Sequence, residues 1–232
     1  MAYTAQSVID PALKETEIAL LSQGISYPDI ARITGGKLKS IAERNRQVYK
    51  IDVQYAFRQK IETEGFPCRL SVSDSFGYWF AGLFDGEGCF VLCSSLRTDP
   101  KYYHTKISVT LGLRDDDADV IRRIKDNFGI GCISNGKAHG SRNPQMRWKC
   151  DNIADLVEIM IPFFETYTLY SKKAREFLVW KKVAMERYVL TLGGNSHPCN
   201  TAERFKSIVR GAMAEIEIIR TYRNSHNVAE TK

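Results

Sequence analysis

The chain has 232 residues, 44% hydrophobic and 26% charged. Those values are near globular averages and exclude wholesale disorder, collagen-like repeats and coiled-coil arrays. Lys and Arg number 33 against 27 Asp and Glu, a net charge of +6, a mild excess that favours a polyanionic partner. No apolar run approaches the ~18 residues of a membrane span. The start, MAYTAQSVIDPALKE, lacks the basic and apolar regions of a secretory signal and the arginines of a transit peptide. Six cysteines, at 68, 89, 93, 132, 150 and 199, form no Cys-x-x-Cys pair. Zinc knuckles and a disulfide framework are therefore not expected, and the expected location is an intracellular, reducing compartment.

The first third reads as helices. Leu13 to Leu21 carries Leu13, Ile18 and Leu21 on one face, and Ser22-Gln23-Gly24 stops it. Ser26 caps a short helix with Ile30, Ala31 and Ile33 inward, broken by Gly35-Gly36. Lys37 to Val48 follows, with Leu38, Ile41 and Ala42 inward and Lys37, Lys39, Ser40, Arg44 and Arg46 outward. Two short helices joined by a glycine turn, the second one basic, have the form of a helix-turn-helix that binds DNA. A small helical bundle with a solvated basic face is the plainer alternative. Val53 to Thr63 is a further helix, and Gly65-Phe66-Pro67 marks a domain boundary.

The middle has a different rhythm. Ser73 or Asp74 caps a helix over Phe76 to Phe84, and Cys89 to Ser95 reads as a strand. Lys106 to Leu113 alternates, with Ile107, Val109, Leu111 and Leu113 on one face and Lys106, Ser108, Thr110 and Gly112 on the other. Asp115 to Phe128 is an amphipathic helix built on Val120, Ile121, Ile124 and Phe128, ended by Gly129 and Gly131. Cys132 to Asn135 and Gln145 to Cys150 form a hairpin. Met146, Trp148 and Cys150 take one face of its second strand, and Gln145, Arg147 and Lys149 the other. Asn152 to Ile161 is a helix, and so is Ser171 to Leu190, with Ala174, Phe177, Leu178, Ala184 and Tyr188 inward. Gly193-Gly194-Asn195 punctuates the chain. A last helix follows Thr201, with Phe205, Ile208, Val209, Ala212, Ile216 and Ile219 inward. The resulting division is a helical domain over 1–66, an α+β domain over 67–190, and a C-terminal helix and polar tail over 191–232.

The stretch with chemical content is Phe80-Ala81-Gly82-Leu83-Phe84-Asp85-Gly86-Glu87-Gly88. A helix ends and a strand begins with almost no loop. Ala81 and Gly82 leave room for a second helix, and Gly86 and Gly88 allow a sharp turn. Asp85 and Glu87 sit at a helix C-terminus, where the dipole disfavours negative charge. A hard divalent cation is one compensation. Backbone amides holding Asp85, with Glu87 left as the exposed ligand, are another. A glycine-rich turn with two solvated acids is the plain alternative.

This segment resembles the signature of the LAGLIDADG homing endonucleases. Ala81, Gly82, Leu83, Asp85 and Gly88 match it, while Phe80, Phe84, Gly86 and Glu87 stand as variants. The order of elements, NFGIGCIS after the second helix and LYSKKAREF opening the last core helix extend the resemblance over about Ser73 to Leu190. It implies an αββαββα core whose four-stranded antiparallel sheet lies on DNA, preceded here by a small all-helical domain. It implies a nuclease of a mobile genetic element. Glu87 would bind Mg²⁺ (or Mn²⁺) beside the scissile phosphate, with the Gly86 carbonyl as a second metal contact and Asp85 structural. Only one motif is present, so the expected enzyme is a homodimer joined through the motif helix, cutting a palindromic or near-palindromic duplex, with no membrane partner. A lysine near the active site is expected from the last core helix, Lys172 ahead of Lys173, with Arg114 as a weaker catalytic candidate.

Strand parity then selects the DNA-reading side chains. They are Lys106, Ser108 and Thr110, then Gln145, Arg147 and Lys149, and on the first strand Val91, Cys93, Ser95 and Arg97. Lys101, His104, Lys137, His139 and Arg142 are candidate phosphate contacts in loops. Two other functions fit the same residues: a DNA-binding transcriptional regulator that no longer cuts, and an RNA maturase.

Overall fold

The computed structural model describes residues 10–96, 103–136, 144–191 and 203–221. Contacts divide the chain into two compact units: Met1–Phe66 with Val189–Cys199, and Pro67–Tyr188 with Asn200–Lys232. The glycine punctuation at 193–195 and the Thr201 cap lie outside the described residues.

In the first unit, α1 (Pro11–Ser22) is capped by Asp10, whose carboxylate accepts from the Ala12 N–H at 3.0 Å. Ser26 caps α2 (Tyr27–Thr34), and Gly35 ends it in the left-handed region at φ 68°. Helix α3 (Leu38–Arg44) runs into a single π turn, Asn45–Tyr49, and α4 (Val53–Glu64) follows. Leu21, Tyr27, Ile30, Ile41 and Val53 form the core. The fully buried Glu17 accepts from Arg44 Nε at 2.8 Å and from the Tyr49 hydroxyl at 3.0 Å. Two expected core residues are exposed instead. Ile33 falls outside the stripe shared by Tyr27, Ile30, Ala31 and Thr34, and is 62% exposed. Leu38 opens α3, where Cβ points back toward the glycine turn, and is 37% exposed.

The second unit starts with α5 (Asp74–Glu87), capped by Ser73, and passes directly into β1 (Gly88–Leu96). Strand β2 (Tyr103–Arg114), a 3-10 turn at Asp115–Asp117, α6 (Ala118–Phe128), β3 (Cys132–Gly136) and β4 (Gln145–Cys150) follow. The sheet is antiparallel with order β1-β2-β4-β3. Its register places Phe90, Leu92, Ile107, Val109, Leu111, Met146, Trp148 and Cys150 on one face, all buried. Burial pushes the Cys150 thiol up to about 12. Phe80 of the motif helix lies against Phe76, Phe84, Phe128, Trp148, Phe163 and Phe164, so α5 is seated on an aromatic lattice.

Helix α7 (Ile153–Asp155), a π turn at Leu156–Met160 and α8 (Ile161–Thr166) form one run. It passes the expected end at Ile161. Pro162 sits in the first turn of α8, where its missing N–H costs little, and the π turn before it absorbs the mismatch. In α9 (Lys173–Thr191), Phe177, Trp180, Val183, Ala184 and Tyr188 are buried, whereas Leu178 is on the opposite side and 57% exposed. Helix α10 (Glu203–Arg220) buries Phe205, Val209, Ala212 and Ile216 at helical spacing. No helix among the described residues is long and apolar enough to cross a membrane.

Candidate functional site

The two acids of the motif have different fates. Asp85 accepts from the Tyr170 N–H at 2.9 Å, the Ser171 N–H at 3.0 Å and the Ser171 hydroxyl at 2.5 Å. It thereby caps the segment that opens α9. Burial works to raise its pKa. The Ser171 hydroxyl, the two backbone N–H groups and the Lys173 charge outweigh that and hold it below the ordinary carboxylate value. Glu87 is the last residue of α5 and is exposed.

Lys173 Nζ donates to the Asp85 carbonyl at 2.7 Å and the Gly86 carbonyl at 2.8 Å. These are C-terminal carbonyls of a helix, which lack intrahelical partners and favour a cation. Burial lowers the Lys173 pKa more than Asp85, Glu176 and its other neighbours raise it. Of the two candidate lysines, Lys173 is the one whose ammonium reaches the motif carbonyls. The Asp85 cap fixes the phase of α9 so that Lys173, two residues after Ser171, turns onto the motif.

The glycines also divide. A Cβ at Gly82 or Gly86 would meet nothing within 4 Å, so both mark an open stripe on α5. Ala81 is buried within its own unit, so it is not part of that stripe. Gly88 has an ordinary φ of −73°. It is needed for space, because a Cβ there would enter the Phe84 ring, and not for a left-handed turn. Tyr78 and Tyr170, which sequence reasoning missed, are 68% and 92% exposed around this stripe.

On the open face of the sheet, the register aligns Cys132, Lys149, Thr110 and Cys89 in one row, and Ser134, Arg147 and Gly112 in the next. Val91 lies across from Ser108, and Cys93 across from Lys106. Lys106, Gln145 and Arg147 are exposed, and Thr110 is half-buried. Two expected contact residues, Ser108 and Lys149, and the catalytic candidate Arg114 are less exposed or already paired. Ser108 is fully buried with its hydroxyl unpartnered, a short side chain in an inner strand. Lys149 is paired with Asp151, just past the end of β4. Arg114 is turned onto Asp116, with Nε 3.0 Å from its carboxylate. In the first unit Lys37, Lys39 and Ser40 are exposed, and Arg44 is paired with the buried Glu17. Arg97, Lys101, Lys137, His139, Arg142 and the His104 and Ser95 side chains lie outside what the structure describes.

Among the described residues, no group of three or more His, Cys, Asp or Glu gathers as a metal site. The chain offers the exposed Glu87 carboxylate and, one residue before it, the Gly86 carbonyl, a hard oxygen that also accepts from Lys173. Residues 80–184 match the family model described as LAGLIDADG endonuclease. That segment is a LAGLIDADG domain. The LAGLIDADG match runs from the middle of the motif helix through the whole sheet and most of α9. Solved structures with a similar course include the I-LtrWI LAGLIDADG homing endonuclease bound to target DNA, at 27% identity and TM-score 0.42. That match covers 50% of this chain and 40% of the other. The homing endonuclease I-TnaI matches at 20% identity and TM-score 0.42, covering 59% and 97%. An archaeal intron-encoded homing endonuclease complexed with DNA matches at 22% identity and TM-score 0.47, covering 61% and 84%.

Proposed function

We propose that this protein is a divalent-metal-dependent, site-specific DNA endonuclease of the homing type, acting as a homodimer on a palindromic or near-palindromic duplex. The observation that carries the reading is the split between the two motif acids. Asp85 is spent on holding α9, while Glu87 stands exposed at the end of a helix whose outer stripe is bare at Gly82 and Gly86. Two copies meeting along that stripe would bring two Glu87 carboxylates together, one for each strand of DNA.

The donor set fits Mg²⁺ or Mn²⁺: Glu87 would hold the ion, with the Gly86 carbonyl beside it. Such an ion supplies charge stabilisation at the phosphate and an activated water. The chain's own contribution is placement. Lys173 fixes the Gly86 carbonyl, Asp85 fixes the start of α9, and the aromatic lattice around Phe80 keeps α5 from shifting. Lys106, Thr110, Gln145 and Arg147 on the open sheet face supply phosphate neutralisation and base-edge contacts. Lys37, Lys39 and Ser40 of the helical unit extend the footprint, a helix-turn-helix role that raises affinity by linkage.

The test is cleavage of a randomised palindromic duplex library with Mg²⁺, beside Glu87→Gln and a metal-free control. Discrete cut sequences with the native chain alone are expected. Selective binding without cutting would instead make the protein a regulator.

A further inference from the structure

The family match ends at residue 184, yet α10 (Glu203–Arg220) reaches the site from beyond it. Arg220 Nη2 donates to the Glu176 carboxylate at 2.6 Å and to the Phe90 carbonyl at 3.0 Å. Glu176 is on α9, one turn after Lys173, and only 4% exposed. Phe90 is on β1, three residues after Glu87. The half-buried Cys89 thiol donates to the same Phe90 carbonyl at 3.6 Å and is an electrostatic neighbour of both Arg220 and Lys173.

We propose that Arg220 is a positioning residue for Glu87, bracing β1 against α9 directly behind the motif. The inference rests on the endonuclease reading. Glu87 lies between two held points: upstream, Lys173 grips the Asp85 and Gly86 carbonyls; downstream, Arg220 grips the Phe90 carbonyl. Glu176 joins the two cations. Both bonds come from the one terminal nitrogen Nη2, whose two N–H groups point in fixed directions in the guanidinium plane, so the two acceptors are held at a set angle to each other. Docking of α10 does not need it, since Phe205, Val209, Ala212 and Ile216 already bury that helix. What Arg220 adds is precision, and displacement of a reacting group by ~1 Å costs about 10²-fold in rate.

The experiment compares the full-length native chain with Arg220→Gln, Arg220→Lys and the double variant Glu176→Gln/Arg220→Gln on the duplex recovered above. Single-turnover cleavage at saturating DNA should fall at least about tenfold in Arg220→Gln, with metal-free DNA affinity by fluorescence anisotropy unchanged. Arg220→Lys should recover part of the rate. The double variant carries no unpaired buried charge and should remain slow, which separates misplacement from misfolding. Maleimide labelling of Cys89, followed by peptide mass spectrometry, should be faster in Arg220→Gln. Equal cleavage rates, a parallel loss of rate and affinity, or unchanged Cys89 labelling would each overturn the brace. A native chain that cuts no duplex while the labelling contrast persists would overturn the endonuclease reading and leave the brace standing.

Discussion

In the helical unit, Leu21, Tyr27, Ile30, Ile41 and Val53 surround a small core, and the fully buried Glu17 sits beside it with Arg44 and Tyr49. In the LAGLIDADG unit, Phe76, Phe80, Phe84, Phe90, Phe163, Trp148 and Trp180 are all nearly or fully buried, and their rings contact one another from helix to sheet. Both units contain one buried carboxylate paired with an arginine, Glu17 with Arg44 and Glu176 with Arg220, but only the second is filled by a continuous set of aromatic rings. The difference suits what each carries. A close-packed aromatic lattice deforms little, which a site held to fractions of an ångström requires.

The largest expected effect tests the lattice. Phe80→Ala should cost about 3–5 kcal/mol, because six neighbouring rings cannot all collapse into the space. Urea denaturation checks it, and a loss near zero would mean that the rings are loosely packed. Next comes the charged pair. Glu17→Gln should cost about 2–3 kcal/mol, the lower side for a buried pair because Arg44 still reaches water. Glu17→Leu/Arg44→Leu should recover most of that. If the double change is no better than the single one, the pair is more than a register device.

Much of this was legible in the sequence, and the failures have physical causes. Period-two alternation identified both faces of β2 and β4, because one face is buried under helices along its length. Helical periodicity was less secure. Ile33, Leu38 and Leu178 are apolar and near the inner stripe, yet a step of one residue rotates a helical side chain far enough to expose it. The burial of Glu17 had no local signal, since its partners are 27 and 32 residues away. The competing compensations for Asp85 and Glu87 were visible as alternatives. Only the three-dimensional placement of Ser171 showed that Asp85 takes backbone amides. Lys172 and Lys173 are adjacent, and the cap geometry, not composition, distinguishes them.

A smaller contrast lies within the motif. Gly88→Ala should lose about 1–3 kcal/mol, because its Cβ would enter the Phe84 ring. Gly82→Ala should leave the fold as stable or gain up to ~1 kcal/mol, as alanine is the better helix former and its Cβ meets nothing. If two copies pack along that stripe, Gly82→Ala should nonetheless weaken the dimer, which sedimentation at several concentrations would show. Unchanged association with unchanged stability would remove the stripe from the interface.

The smallest effect is a pH dependence, and its sign separates the two halves of the Asp85–Lys173 junction. Asp85 is held below its unfolded pKa of about 3.9. Its contribution is therefore present above that value and lost as pH falls through the lower folded one. Lys173 is also held below its unfolded value of about 10.4, here by burial. The folded state releases that proton first, so stability gains as pH rises through the folded value toward the unfolded one. Asp85→Asn should remove the acid limb and leave the alkaline one. Lys173→Met should do the reverse. Each limb should stay under about 1 kcal/mol, given the solvent exposure of the junction. Denaturation curves at pH 3, 7 and 10 suffice to check both. A native-minus-Asp85→Asn difference that grows on acidification would mean that Asp85 is held as the neutral acid, and the division of labour between Asp85 and Glu87 would fall with it.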